Sequence, residues 1–357
     1  MSEQQPRRLT YFITGLQYGG ANTGMARLLS ELQPSEFDIT VVAIADTPPD
    51  VVSMLPDHVE VKHLKMTRRT ALLQLGEISK IVKSTDILVC SLFHATAIGV
   101  PLGLLLQVPK LLVWQHSTSY SNQIRSAYYR LAYRAADRVL ADSDAVMEML
   151  VDSVGVPDQK ISTLPIAGID VKEYQPSKTH PSHENITVST VGRLANVKGY
   201  DDLIRCARDI GDDLQFQIAG EGEERERLES KTPDNVNFQG MVPNEQIPQF
   251  LNNSDIYFQP SKYEGLCMAV IEAMACGLPV VASDVGGITE SVVPGETGFL
   301  CRPRDIDCFS ERLQQLSENP ALRKQMGTAG RKRVISEYSQ KALARQFRKA
   351  IDQTETV

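Results

Sequence analysis

Short runs of almost wholly apolar residues recur along the chain, separated by stretches with apolar residues at helical spacing. The first series is LTYFITG from Leu9, then DITVVAIA, DILVCSLF, KLLVWQH and DRVLADS; the second is ITVSTVG, LQFQIAG, VNFQG, DIYFQPS, LPVVASD and GFLCR. Such runs read as strands covered on both faces, and strands alternating with helices predict a parallel sheet wrapped by helices, here twice over. Between the two series lies VKEYQPSKTHPSHEN, with two prolines, two histidines and hardly an aliphatic residue, which marks a connection over 171–185. The fold class is therefore α/β, with ligands expected at the carboxyl ends of the strands and in the cleft between domains. The tail from Asn319 to Val357 reads as charged amphipathic helix.

Composition narrows the classes. A length of 357 residues suits two domains of ~100–200 residues each. With 42 % apolar and 23 % charged residues, the chain is neither disordered, collagenous, coiled-coil nor a disulfide scaffold. The net charge is −7, divided as −2 up to residue 175 and −5 after it, so neither half carries the positive excess that nucleic-acid binding needs. The six cysteines form no C-x2-C pair and read as buried or free thiols. MSEQQPRRL lacks the apolar run of a secretory leader, so a cytoplasmic location is expected. The apolar stretch Ala95 to Val113 is broken by Pro101, Pro109 and Lys110 and reads as no membrane span.

The densest chemistry lies in PSKYEGLCMAVIEAMACGLPVVASDVG, from Pro260. A helix starting near Gly265 or Leu266 would turn its free N–H groups toward an anion, with Glu264 at its entrance and Glu272 about two turns along. Glu272 sits in the apolar run AVIEAMA, where an unpaired carboxylate is costly, which favours a functional reading over a solvated helix face. In VGRLANVKG, directly after a strand, Arg193 and Lys198 are placed to hold a diphosphate, one as a planar fork and one as a point charge. GLQYGGANTG, Gly15 to Gly24, reads as a Gly-rich turn after the first strand, and Gly19 with Gly20 permits close approach to a phosphate. Its spacing is not G-x-G-x-x-G and no acidic residue ends the second strand, so a nicotinamide cofactor is disfavoured. His116 and His94 each close a strand.

Together these residues resemble the retaining GT-B glycosyltransferases of family 4, over nearly the whole chain. EGLCMAVIE looks like the family's E-x7-E element and VGRLANVKG like its phosphate loop. The resemblance implies two Rossmann-like domains with a central cleft: an acceptor-side domain over 1–170 that the last helix, about 338–357, rejoins, and a donor domain over 186–337. It also implies that Arg193 and Lys198 hold the donor diphosphate, and that Glu264 faces the donor sugar with the backbone of Gly265, Leu266, Cys267 and Met268. Glu272 would bind the ribose hydroxyls and His116 would lie close to the sugar. Gly19 and Gly20 would approach the phosphates, and Gly220, Gly222, Met241 and Val242 would surround the nucleobase; His94 matches no family position securely.

The activity so implied is transfer of a hexosyl unit from a nucleoside diphosphate sugar to a glycan or lipid-linked acceptor, with retention, without a metal and without a further cofactor. Two cations and a helix end suffice for the leaving diphosphate. The D-x-D strings Asp142 to Asp144 and Asp305 to Asp307 both precede helical patterns and read as helix caps rather than metal ligands. No second carboxylate suggests itself as a nucleophile, so the leaving phosphate is expected to deprotonate the acceptor. A non-catalytic nucleotide-sugar subunit and a GT-B epimerase are the alternatives. The basic stretch Lys62 to Lys83, with Ala71, Leu75, Ile78 and Val82 on one helical face, suits either the inner surface of a membrane or, the favoured reading, a helix packed on the sheet.

Overall fold

The computed structural model describes residues 5–16, 20–45, 52–65, 71–116, 123–177 and 185–353. The chain forms two compact units, Met1–Gly168 with Gln340–Val357, and Ile169–Ser339.

The first unit is built on β1 (Arg7–Ile13), β2 (Phe37–Ala43), β3 (Glu60–His63), β4 (Ile87–Ser91), β5 (Lys110–Gln115), β6 (Arg138–Ala141) and β7 (Ile161–Thr163). They form one parallel sheet in the order β3-β2-β1-β4-β5-β6-β7. Alternate residues of each strand point to opposite faces, and each face has its own core. Tyr11 and Trp114 lie on one, and Phe12, Val113 and Tyr133 on the other. The closing helix Gln340–Asp352 lays Leu343, Phe347 and Ile351 on the first core, with Phe347 stacked 6.2 Å from Trp114. Burying each such side chain contributes roughly 1.5–3 kcal/mol. Outside, the Arg348 guanidinium grips Glu36 at 2.8 Å.

The second unit holds β8 (Ile186–Val191), β9 (Leu214–Ala219), β10 (Val236–Gly240), β11 (Ile256–Gln259), β12 (Val280–Ser283) and β13 (Gly298–Cys301), parallel in the order β10-β9-β8-β11-β12-β13. Val188, Phe216, Phe258 and Phe309 centre a core on one side of it. In both sheets the strand order reverses once, between β1 and β4 and between β8 and β11. A switch point of this kind leaves a crevice at the carboxyl ends of the two flanking strands.

Four features differ from the sequence expectations. The stretch Lys62 to Lys83 is not one helix: Glu60–His63 is an edge strand, and the helix Ala71–Lys83 buries Ile78 and Val82 in the core while Lys80 and Lys83 face outward. That is the arrangement of a helix packed on a sheet; Arg68 and Arg69 lie outside the described residues. The tail is two helices, Pro320–Arg333 and Gln340–Asp352, parted at Ser339, whose extended backbone bridges Ile169. The stretch after β1 is not all loop, because the helix Gly20–Ser30 begins at Gly20. It packs so closely that a Cβ on Gly24 would lie 2.1 Å from the Ile166 carbonyl oxygen. Finally, Cys301 and Cys308 form a disulfide, because the short link between β13 and the helix Ile306–Glu318 brings their Cα atoms to 5.9 Å. The other four cysteines are buried thiols.

The connection 171–177 is fixed to the second unit by Arg331. Its guanidinium donates to the carbonyl oxygens of Val171 (2.9 Å), Tyr174 (2.7 Å) and Ala275, and burial pulls its pKa below the usual value. No described helix is long and apolar enough to cross a membrane. The apolar segment around Pro101 is instead the helix Phe93–Leu105 followed by β5.

Candidate functional site

The two motifs with the densest chemistry flank the switch point of the second sheet: VGRLANVKG follows β8 and PSKYEGLC follows β11, its neighbour. The first loop is moulded by backbone contacts. Gly192 N–H donates to Ala219 O and Leu194 N–H to Glu221 O, each at 2.9 Å, while Gly220 N–H donates to Gly240 O at 2.8 Å. A Cβ on Gly220 would lie 1.9 Å from Gly192 O, and one on Gly222 would lie 2.4 Å from Leu194 O. Glycine at these positions is what lets the loops after β8, β9 and β10 run against one another. Beyond them Met241 is 77 % exposed and Val242 is half-buried.

Arg193 is exposed, and its guanidinium has no partner among the described residues. Lys198 closes a one-turn helix, Asn196–Lys198, and its Nζ lies 2.8 Å from Glu264 Oε1, side chains 21 % and 10 % exposed. The two residues expected to serve different parts of a donor are thus joined. Burial opposes the Lys198 charge, but the Glu264 carboxylate beside it, by its charge and its hydrogen bond, works against that and the Lys198 pKa is raised. Ser261 Oγ donates to the same Glu264 oxygen at 2.6 Å. The Cys267 thiol is buried and pushed up to about 12, which leaves it protonated and unreactive at neutral pH.

The helix carrying Glu272 begins at Met268 and runs to Ala275, not from Gly265 or Leu266 as expected. Gly265 O is taken by Gly287 N–H at 2.8 Å, and the backbone of Gly286 lies so close that a Cβ there would sit 1.9 Å from Glu264 O. Gly265 and Leu266 are therefore held as a turn. The N–H groups of Met268 and Ala269 have no acceptor among the described residues, as a first turn requires. Glu272 is half-buried while Val270, Ile271, Ala273, Met274 and Ala275 around it are buried.

In the first unit His116 directly follows β5 and is nearly enclosed. Its Nδ1 lies 2.8 Å from Asp142 Oδ2 and its Nε2 lies 2.8 Å from Ser91 Oγ; the His116 side chain is 10 % exposed. The other Asp142 oxygen accepts from Trp114 Nε1 at 2.6 Å. Asp142 is therefore not a helix cap: Ser143 caps Asp144–Met149 by accepting from Val146 N–H, while Asp305 does cap its helix through Cys308 N–H. The run ADSD hides this role, since the residue aimed at the histidine is fixed only once β5 and β6 pair. His94 does not close a strand either: β4 ends at Ser91, and His94 is the exposed second residue of Phe93–Leu105. Gly19 lies outside the described residues. Among the described residues no group of three or more histidine, cysteine, aspartate or glutamate side chains is arranged to hold a metal ion. A cavity of about 770 Å³, lined in part by Pro176, Pro279, Arg323 and Arg331, lies by the amino ends of β11 and β12, away from these loops.

Residues 170–333 match the family model for glycosyl transferases group 1, and residues 18–173 match that for Glycosyltransferase Family 4. Among curated relatives, the GDP-mannose-dependent alpha-mannosyltransferase of Mycobacterium tuberculosis is 30 % identical, with 80 % of each chain covered. The alpha-maltose-1-phosphate synthase of Mycolicibacterium smegmatis is 28 % identical over 63 % of this chain and 65 % of its own length, just under two thirds. Among solved structures, Anabaena Alr3699/HepE in complex with UDP and glucose superposes with a TM-score of 0.80 at 19 % identity, covering 97 % of this chain and 99 % of that one.

Proposed function

We propose that this chain, which belongs to glycosyltransferase family 4 and is a GT-B glycosyltransferase of glycan biosynthesis, moves a hexosyl unit from a nucleoside diphosphate sugar to a glycan or lipid-linked acceptor with retention of configuration. The observation that carries this reading is the placing of Arg193, Lys198 and the first turn of Met268–Ala275 around one switch-point crevice, with Glu264 at its edge.

As the glycosidic bond breaks, negative charge grows on the leaving diphosphate. Arg193 lies open to form two parallel N–H contacts with it, Lys198 adds a compact charge, and the N–H groups of Met268 and Ala269 add a dipole end. Two cations and a helix terminus can neutralise the diphosphate, and the reaction proposed here needs no metal. Glu264 accepts from a sugar hydroxyl and Glu272 from the ribose hydroxyls. His116, held by Asp142, is assigned to the sugar side. Gly220, Gly222, Met241 and Val242 are assigned to the base, and Gly19 and Gly20 to the phosphates. The leaving phosphate takes the acceptor proton. Named relatives that use GDP-mannose or are bound to UDP support a nucleoside diphosphate donor without choosing the base. Membrane contact through Lys62 to Lys83 is the weaker part of the reading, since Ile78 and Val82 are spent on the core.

The test is release of the free nucleoside diphosphate from UDP-glucose, GDP-mannose and ADP-glucose in EDTA, with the anomer of the product read by NMR. Release from one donor with an α-linked product supports the reading. Absence of release from every donor, with or without acceptor sugars, contradicts it.

A further inference from the structure

β11 carries a glutamine where a strand covered on both faces calls for an apolar residue: Ile256, Tyr257, Phe258 and Gln259 are all buried, and so is Ser261. Tyr257, Gln259 and Ser261 form an unbroken hydrogen-bonded line. Val191 N–H reaches Tyr257 Oη (3.2 Å), Tyr257 Oη reaches Gln259 Oε1 (2.8 Å), Gln259 Nε2 reaches Ser261 Oγ (2.8 Å), and Ser261 Oγ reaches Glu264 Oε1 (2.6 Å).

Chemistry fixes the direction of this line. The Glu264 carboxylate, paired with Lys198, can only accept, so Ser261 must donate to it. The Ser261 oxygen must then accept from the amide N–H2 of Gln259, which turns the amide oxygen toward the Tyr257 hydroxyl. Reversing any link would set two oxygens 2.6 Å or 2.8 Å apart with no proton between them. The line and Lys198 both end on Oε1, and the Cys267 thiol is the other group beside this carboxylate.

We propose that Gln259 and Ser261 are positioning residues of the donor site, clamping Glu264 by Oε1 so that Oε2 is the atom presented to a hydroxyl of the donor sugar. The inference rests on the donor assignment of Glu264 proposed above. Neither Gln259 nor Ser261 touches the donor; each acts through the carboxylate. The nucleoside diphosphate itself meets Arg193, Lys198 and the helix end, and Lys198 keeps its own contact with Oε1 when the line is cut, so the diphosphate's affinity is expected to change less than that of the nucleotide sugar.

That separation supplies the test. Dissociation constants are measured by calorimetry for UDP against UDP-glucose and GDP against GDP-mannose, with kcat and KM for the donor that turns over. The chains compared are wild type, Ser261→Ala, Ser261→Thr, Gln259→Met and Gln259→Glu, with a thermal midpoint for each. A hydrogen bond to a charged group is worth about 10-fold to 100-fold. Ser261→Ala and Gln259→Met are expected to lose about that in kcat/KM and in the extra affinity of the nucleotide sugar over the free diphosphate, with a smaller change in diphosphate binding. Ser261→Thr, which keeps the hydroxyl, stays near wild type. Gln259→Glu, whose buried carboxyl is protonated and can still donate an O–H to Ser261, is expected to fall between Gln259→Met and wild type. If Gln259 variants fail to fold, the Ser261 pair carries the comparison. Equal losses for diphosphate and nucleotide sugar, or kinetics of Ser261→Ala equal to wild type, overturn the proposal. A wild-type chain that binds neither diphosphate nor sugar nucleotide overturns the donor reading beneath it, a different failure.

Discussion

Gly199 and Pro260 touch through their backbones: a Cβ on Gly199 would lie 1.9 Å from the Pro260 carbonyl oxygen, and Gly199 holds a φ of +71°. The contact locks the loop bearing Lys198 to the loop bearing Glu264. Gly199→Ala adds both a backbone clash and a left-handed alanine. It is expected to cost at least about 2 kcal/mol in urea unfolding and to weaken nucleotide binding together with stability.

Asp142 receives two buried donors, Trp114 Nε1 and His116 Nδ1. Asp142→Ala strands both and is expected to cost about 2–4 kcal/mol of stability by chemical denaturation, whereas Asp142→Asn keeps one acceptor and costs about half as much. Because His116 is held by this carboxylate, Asp142→Asn is also expected to lower kcat at saturating donor. An unchanged kcat would show that the histidine serves packing alone.

Asp202 is 4 % exposed, its Oδ2 has no hydrogen-bond partner among the described residues, and burial raises its pKa above 3.8. The folded state therefore penalises the charged form. That penalty is absent when the group is protonated in both states, grows as pH rises from the ordinary value through the raised one, and is constant above it. Asp202→Asn is expected to raise the thermal midpoint at pH 7 relative to wild type, with the gain vanishing as pH falls below about 3.8. A constant difference across pH would contradict the cause given.

The Cys301–Cys308 bridge closes a short loop, with a sequence separation of 7. By loop entropy it is worth roughly 2.5 kcal/mol, so reduction is expected to lower the thermal midpoint by about 5 °C. Cys301→Ser is expected to unfold at that lower temperature and to ignore reductant.

The strands were legible because their residues are buried on both faces, and a run such as DIYFQPS or LPVVASD, bounded by Asp, Pro or Ser, is too short for a buried helix. Glu60–His63 was not, because an edge strand with two charges and half-exposed side chains carries no such signal. The start of Met268–Ala275 was misplaced because what holds Gly265 out of the helix is Gly287, twenty-two residues away in sequence. Asp142 looked like a cap because two of its neighbours in ADSD have capping chemistry; only the pairing of β5 with β6 reveals its partners. Lys198 and Glu264 were each legible as candidates, but their ion pair was not, since it depends on Gly199 meeting Pro260. Gln259 did leave a trace, as a polar residue inside an apolar strand.

The most direct measurement is thermal stabilisation of the purified chain by UDP, GDP and ADP in EDTA, beside Arg193→Ala. A ligand at 100 times its dissociation constant adds ~2.7 kcal/mol of stability. At least one nucleoside diphosphate is expected to raise the midpoint in EDTA, and Arg193→Ala to abolish most of the rise. No rise with any of the three, or an equal rise in Arg193→Ala, would contradict the donor site described here.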